Sequence, residues 1–204
     1  SLWQKLYQCF FIHFDEKPLR IEKRHSEKKT FDYIENVTDR FDGIFNYLTE
    51  KFGGNPDLKN IVKITSSSIL NDYLPRNVLE NNRRLVFSTT VLVDKVNPWL
   101  KFDFLSRRVH PTFYSIRTWG NKKGGYHLKN WVLEASDTDK DNDWIVLDSR
   151  NNQTCLDDSY AENTFSISQQ INENKFYRFL RIRQTGLNAK GTSQLVMSSI
   201  EFFG

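Results

Sequence analysis

The feature that most constrains this chain is a change of period. Up to about residue 54 apolar residues recur at steps of three and four; beyond Asn55 they recur at steps of two, in short β-branched or aromatic runs. Breaks rich in Asn, Asp, Ser and Gly separate those runs. A period of two belongs to strands with one face buried, so the longer, C-terminal part is all-β. The runs fall at 61–65, 85–88, 100–104, 113–118, 131–136, 144–147, 163–167, 177–184 and 195–203. Breaks this short and polar leave no room for crossover helices, which predicts an antiparallel sandwich rather than a parallel α/β sheet. No internal repeat is visible in the sequence.

The first part reads differently. Leu2, Trp3, Leu6, Tyr7, Phe10, Phe11 and Phe14 form the stripe of a short helix. The segment EKPLRIEKRHSEKK then sets six Lys or Arg against three Glu and reads as an exposed linker. Its alternative use, from Lys17 to Lys29, is to dock an acidic surface. In FDGIFNYLTEKFGG, Asp42 is the expected cap of a helix whose apolar face is Ile44, Phe45, Leu48 and Phe52, ended by Gly53 and Gly54. The expected division is a helical and basic extension over 1–54 and a sandwich over 55–204.

With 38% hydrophobic and 26% charged residues over 204 positions, the chain can bury a proper core. No apolar run approaches the ~20 residues of a bilayer span. A net charge of +4 is mildly basic, yet no zinc-finger, helix-turn-helix or basic-aromatic RNA motif accompanies it, so nucleic acid is an unlikely partner. Ser1 stands where a native start would have Met and no secretory signal follows, so the sequence reads as a fragment. Cys9 and Cys155 lie in unlike contexts, which argues against a disulfide framework and for the cytoplasm. The sequons at Asn36 and Asn152 would matter only in a secreted protein.

Read in order, the segments ITSSSIL, PRNVLE, PWLKFDF, YSIRTWGNKKGGYHLKNWVLEAS, DNDWIVLDSR, YRFLRIRQTG and SSIEFFG resemble the coagulation factor V/VIII type C, or discoidin, family of galactose-binding-like domains. The resemblance covers residues 60–204. Arg178-Phe179-Leu180-Arg181-Ile182 looks like the family's penultimate strand and Ile200-Glu201-Phe202-Phe203-Gly204 like its closing strand. LKNWVLEAS and the Asp-rich turn after it look most like the intracellular copies in multidomain BTB-containing proteins and HECT-type ubiquitin ligases. The resemblance implies a discoidin-like jelly-roll β-sandwich of eight or nine antiparallel strands, preceded by short α-helices, that recognises rather than catalyses. Extracellular members join their ends with a disulfide, whereas here no Cys lies near either edge of the sandwich. Some sugar-binding relatives hold calcium through an Asp in the loop after the first strand; here that stretch reads Asn77-Val78-Leu79-Glu80-Asn81-Asn82. Glu80, Asn81 and Asn82 offer oxygens but no calcium-specifying spacing, so no cofactor is expected.

Catalytic motifs are absent from the sequence. His13, His25, His110 and His127 are scattered, and neither a zinc spacing nor GxSxG occurs. The loop WGNKKGGYH leads into a strand and not a helix, so it is no phosphate loop. It is instead the best candidate for binding, because Trp119, Asn121, Lys123, Tyr126 and His127, with Arg117 at the base, join an aromatic face to polar groups. Asp72, Tyr73 and Arg76 in the loop after the first strand, and Gln184 at a strand exit, complete the candidate set. Competing structural roles are a core position for Trp119, an internally bonded His127 and plain loop surface for Asp72, Tyr73 and Arg76. Trp99, Trp131 and Trp144 read as core or rim, and Arg178, Arg181 and Arg183 as structural, carboxylate-paired arginines. The expected function is a noncatalytic recognition module of an intracellular multidomain protein, engaging a protein segment or a glycan. Two alternatives are a scaffold role in an assembly such as a microtubule-associated complex, and an accessory binding domain of an enzyme whose catalytic part is absent.

Overall fold

The computed structural model describes residues 28–90, 97–169, 172 and 174–204. The helix expected over 1–14 and the basic segment up to residue 27 lie outside the described residues. Ten strands follow one helix, α1 (Ile44–Phe52): β1 (Lys63–Ser66), β2 (Phe87–Ser88), β3 (Trp99–Asp103), β4 (Phe113–Arg117), β5 (Trp131–Ser136), β6 (Ile145–Arg150), β7 (Glu162–Ser166), β8 (Phe179–Gln184), β9 (Val196–Met197) and β10 (Ser199–Phe203). A five-stranded sheet runs β1-β3-β8-β5-β6, a three-stranded sheet β10-β4-β7, and β2 pairs with β9. Every named pairing is antiparallel. The result is a discoidin-like jelly-roll β-sandwich.

Alternation decides which side chains enter. From the large sheet Leu100, Phe102, Leu133, Leu180 and Ile182 point inward; from the small sheet come Tyr114, Ile116, Phe165, Ile200 and Phe202. Each such burial stabilises the fold by roughly 1.5–3 kcal/mol before entropy is counted. One polar pin crosses this core: Tyr114 donates to Asp148 Oδ2 at 2.6 Å, Trp131 Nε1 donates to Tyr114 at 2.9 Å, and Arg150 Nε reaches the same Asp148 oxygen at 2.6 Å. Burial, then the Asp148 charge, pushes the Tyr114 phenol well above its ordinary value, so the hydroxyl stays a donor. The run expected over 195–203 divides at Ser198, which donates to the Arg117 carbonyl and lets β9 and β10 serve different sheets.

The N-terminal residues are built into this body. Phe31 and Gly204 exchange backbone hydrogen bonds at 3.1 and 2.8 Å. Tyr33 packs on Phe113 and Phe203, with ring centroids 5.5 and 5.2 Å away, and Phe41 lies 4.1 Å from the Arg117 guanidinium. Residues 31–41 therefore strap the outward face of the small sheet. Helix α1 closes the flank beside β10, where the Phe45 ring meets Phe102, Phe104 and Phe202 at 5.4–5.8 Å. A boundary between residues 54 and 55 cuts through this packing. Lys28 and Lys29, the described end of the basic segment, lie over Phe176 and Tyr47.

The apolar face expected for α1 is buried at Ile44, Phe45 and Leu48, and Gly53 ends the helix at φ 67, as a left-handed cap requires. Its start differs from expectation. Asp42 makes no cap and accepts instead from Asn46 Nδ2. Glu201, on β10, accepts from the Phe45 and Asn46 amides at 2.8 and 2.9 Å. Gly43 permits this, because a Cβ there would run into the Phe202 carbonyl and the Glu201 side chain.

Candidate functional site

The Phe31–Gly204 pair lies at one pole of the sandwich, beside the start of β4; at the other, β4 runs out into its loop at Thr118. Three connections meet there. Tyr160 donates its amide to the Trp119 carbonyl, Thr118 Oγ1 donates to Asp158, and the Gly124 amide donates to Asp157 Oδ1 at 2.8 Å. On the opposite flank the Ala189 amide donates to the His127 carbonyl, and Lys190 Nζ donates to the Tyr126 hydroxyl at 2.8 Å. The 118–130 loop is thus held between its neighbours over 151–161 and 185–195, which gives a ligand a preorganised surface.

Across this pole runs a row of aromatic side chains. Tyr73 and Trp119 lie with ring centroids 6.3 Å apart, tilted by 46°. Gly120 sits against the ring of Tyr160, over whose other neighbourhood the Arg83 guanidinium stands 6.0 Å from the centroid. Tyr73 and Tyr160 are 36% and 37% exposed, and Trp119 is half-buried. Asp72 is exposed beside Tyr73. The Asn121 Nδ2 is shielded from solvent without an internal acceptor. A half-buried aromatic row with amide, carboxylate and guanidinium groups at its margin suits a ligand that has both apolar faces and hydroxyls.

The ten expected site residues divide. Asp72, Tyr73, Trp119 and Asn121 fall at this row, while Lys123 is exposed on the turn beyond it and Tyr126 faces Lys190. Arg76 is half-buried in the 3-10 turn Pro75–Leu79, where its carbonyl accepts from Asn55. Three residues are not available to a ligand. Arg117 is buried, giving hydrogen bonds to Glu162, Asn81 and Ser199, because its position in β4 faces the strap. His127 is 2% exposed and its Nε2 meets the Lys122 carbonyl at 3.1 Å. Gln184 is 1% exposed, since its register opposite Trp131 turns it into the sandwich. Tyr160 and Arg83 were not expected; the only sequence signal for Tyr160 is an aromatic in an otherwise polar break.

The oxygens considered for calcium are engaged internally: Glu80 Oε1 by Asn55, Asn81 Oδ1 by Arg117 and Asn82 Oδ1 by the Arg84 amide. Among the described residues no three His, Cys, Asp or Glu converge on a metal position. Burial pushes the Cys155 thiol above its ordinary value, which keeps it protonated and a weak nucleophile.

No family model matches the chain. Over 154 residues it is 30% identical to the E3 ubiquitin-protein ligase Ufd4 of Drosophila melanogaster, a match that takes in 74% of this chain and 5% of that protein. The fold is shared with CBM32-3 from a family 31 glycoside hydrolase of Clostridium perfringens, at TM-score 0.57 and 11% identity over 71% of this chain and 92% of that one. It is shared too with the fucolectin of striped bass, Morone saxatilis, at TM-score 0.53 and 15% identity over 74% of this chain and 47% of that one. At such identities the likeness carries the fold alone. The architecture is that of a discoidin-like jelly-roll β-sandwich.

Proposed function

We propose that the chain is a noncatalytic recognition module of a longer multidomain protein and binds a glycan through the row Tyr73, Trp119 and Tyr160. The observation that carries this reading is the row itself, exposed at the pole opposite the paired ends Phe31 and Gly204. The names of the structural neighbours, a carbohydrate-binding module and a fucolectin, support the glycan. The similarity to a short part of Ufd4 supports a multidomain, intracellular parent, and the free, exposed Cys155 is compatible with a reducing cytoplasm.

Titration of the ¹⁵N-labelled protein with galactose, N-acetylgalactosamine and fucose, with and without EDTA, tests it. Amide shifts should gather at residues 72–73, 119–121 and 160, and Trp119→Ala should weaken binding by roughly tenfold or more, as loss of a stacking aromatic does. Shifts elsewhere, or none at saturating sugar, sink the glycan reading. A peptide that shifts the same amides when sugars do not would transfer the site to a protein segment.

A further inference from the structure

The outward face of the five-stranded sheet differs from an ordinary solvated sheet face. Register places Trp99 beside Arg183 and Val132 in one row, and Lys101 beside Arg181, Glu134 and Val146 in the next. Two of the cations stand over aromatic rings: Arg181 is 4.0 Å from the Trp144 centroid, and Lys101 is 5.4 Å from that of Trp99. Arg181 and Arg183 both donate to the one carboxylate of Glu134, whose side chain is 5% exposed. Two guanidinium charges against one carboxylate leave a positive charge held in place, with Arg183 still 27% exposed. Over the outward strand positions as a whole, Lys63, Lys101, Arg181 and Arg183 stand against Asp103 and Glu134, with Lys101 also paired to Asp139 of the turn after β5, so the uncompensated charge lies at Arg181 and Arg183.

Beside this charge the edge strand β6 exposes Val146, 42% accessible and opposite Glu134 in register, whereas Ile145 pairs with Ala135 and belongs to the other face. Preorganised arginine and tryptophan next to an exposed aliphatic group is the composition of interface centres. A nucleic acid would meet the charge but leave Val146 uncovered. We propose that this face docks an acidic segment of a partner protein, with a carboxylate completing the Arg181–Glu134–Arg183 cluster and an apolar side chain covering Val146. It is independent of the loop pole and of what binds there.

The probe is a short labelled peptide of alternating Glu and Val or Leu, with its Gln-for-Glu counterpart and an oligo(dT) strand as comparisons. Amide shifts should fall in β5, β6 and β8, and affinity should drop with salt. Arg183→Gln keeps the stem and leaves Glu134 paired to Arg181, so it should fold while weakening the acidic peptide by about tenfold, the effect of one charged hydrogen bond. Val146→Asp should abolish binding and Trp119→Ala should leave it unchanged. Equal binding of the Gln peptide, an unaffected Arg183→Gln variant, shifts confined to the loop pole, or binding of oligo(dT) without the peptide would each overturn the proposal.

Discussion

Each of the two larger sheets carries one buried glutamate on its outward side, and the two are satisfied by different means. Glu134 of the five-stranded sheet sits between two guanidinium groups, side chains of the neighbouring strand β8. Glu201 of the three-stranded sheet accepts backbone amides from α1 and lies beneath residues that precede the sandwich in sequence. Burial pushes the Glu201 carboxyl up to about 7 even though the amides of Phe45 and Asn46 favour its ionised form. Among the described residues the chain therefore covers one outward face itself and leaves the other to paired surface charge. Covering ties a sheet to distant sequence; charge pairing leaves it open for a partner.

Removing the cover should have the largest effect. A fragment starting at residue 55 loses Phe45 from among Phe102, Phe104 and Phe202, and leaves Glu201 without the amides of α1. It should fail to give the dispersed amide spectrum of the whole chain. A fragment as stable to urea as the parent would favour the boundary at 54 and dissolve the contrast between the faces. Within the intact chain, Phe45→Ala should cost ~3–5 kcal/mol in urea unfolding, the usual range for a large aromatic lost from a core. A cost below about 1 kcal/mol would mean that the helix merely leans on the flank.

The covered glutamate gives the contrast a pH signature. Its folded value, about 7, lies above the ordinary 4.5, so the folded chain holds this proton more tightly than the unfolded chain. Stability from Glu201 is complete below pH 4.5 and falls as pH rises through about 7. Between those limits the parent should lose on the order of 3 kcal/mol more than Glu201→Gln, from the free energy of a shift this size. Parallel pH curves for the two proteins would mean that the amides of α1 offset the burial entirely.

How much of this was legible in the sequence follows from the range of each interaction. The period of two located the strands to within a few residues, because alternation is local and each run carries its own record of which face is buried. The apolar face of α1 and its Gly53 cap were legible for the same reason. Its N-terminal partner was not: Asp42 is the nearest carboxylate along the chain, but Glu201 is brought there by strand β10. The same limit separates the site residues. Tyr73 and Trp119 declared themselves as aromatics in polar loops, whereas Arg117 and Gln184 sit at strand ends where register alone decides between ligand and interior.

The open face should give the smallest effect. Arg178 bonds Asp103 through both Nε and Nη2, at 2.7 and 2.9 Å, the strongest geometry an arginine–carboxylate pair offers. Burial opposes ionisation of Asp103, but the Arg178 bond, the Leu105 amide and the Arg178 and Lys101 charges together outweigh it and hold the carboxyl below its ordinary value. A depressed value contributes stability above the unfolded pKa and loses it as pH falls through the folded one, so this pair acts at neutral pH and is lost in acid. The Arg178 side chain is 37% exposed, however, and water and salt screen what the geometry provides. Arg178→Ala should therefore leave urea stability at neutral pH nearly unchanged, and any loss should shrink further in high salt. A cost rivalling that of Phe45→Ala would mean that the charged face carries the fold as the covered face does. Its arginines would then be fixed by stability, which would weaken their assignment to a partner.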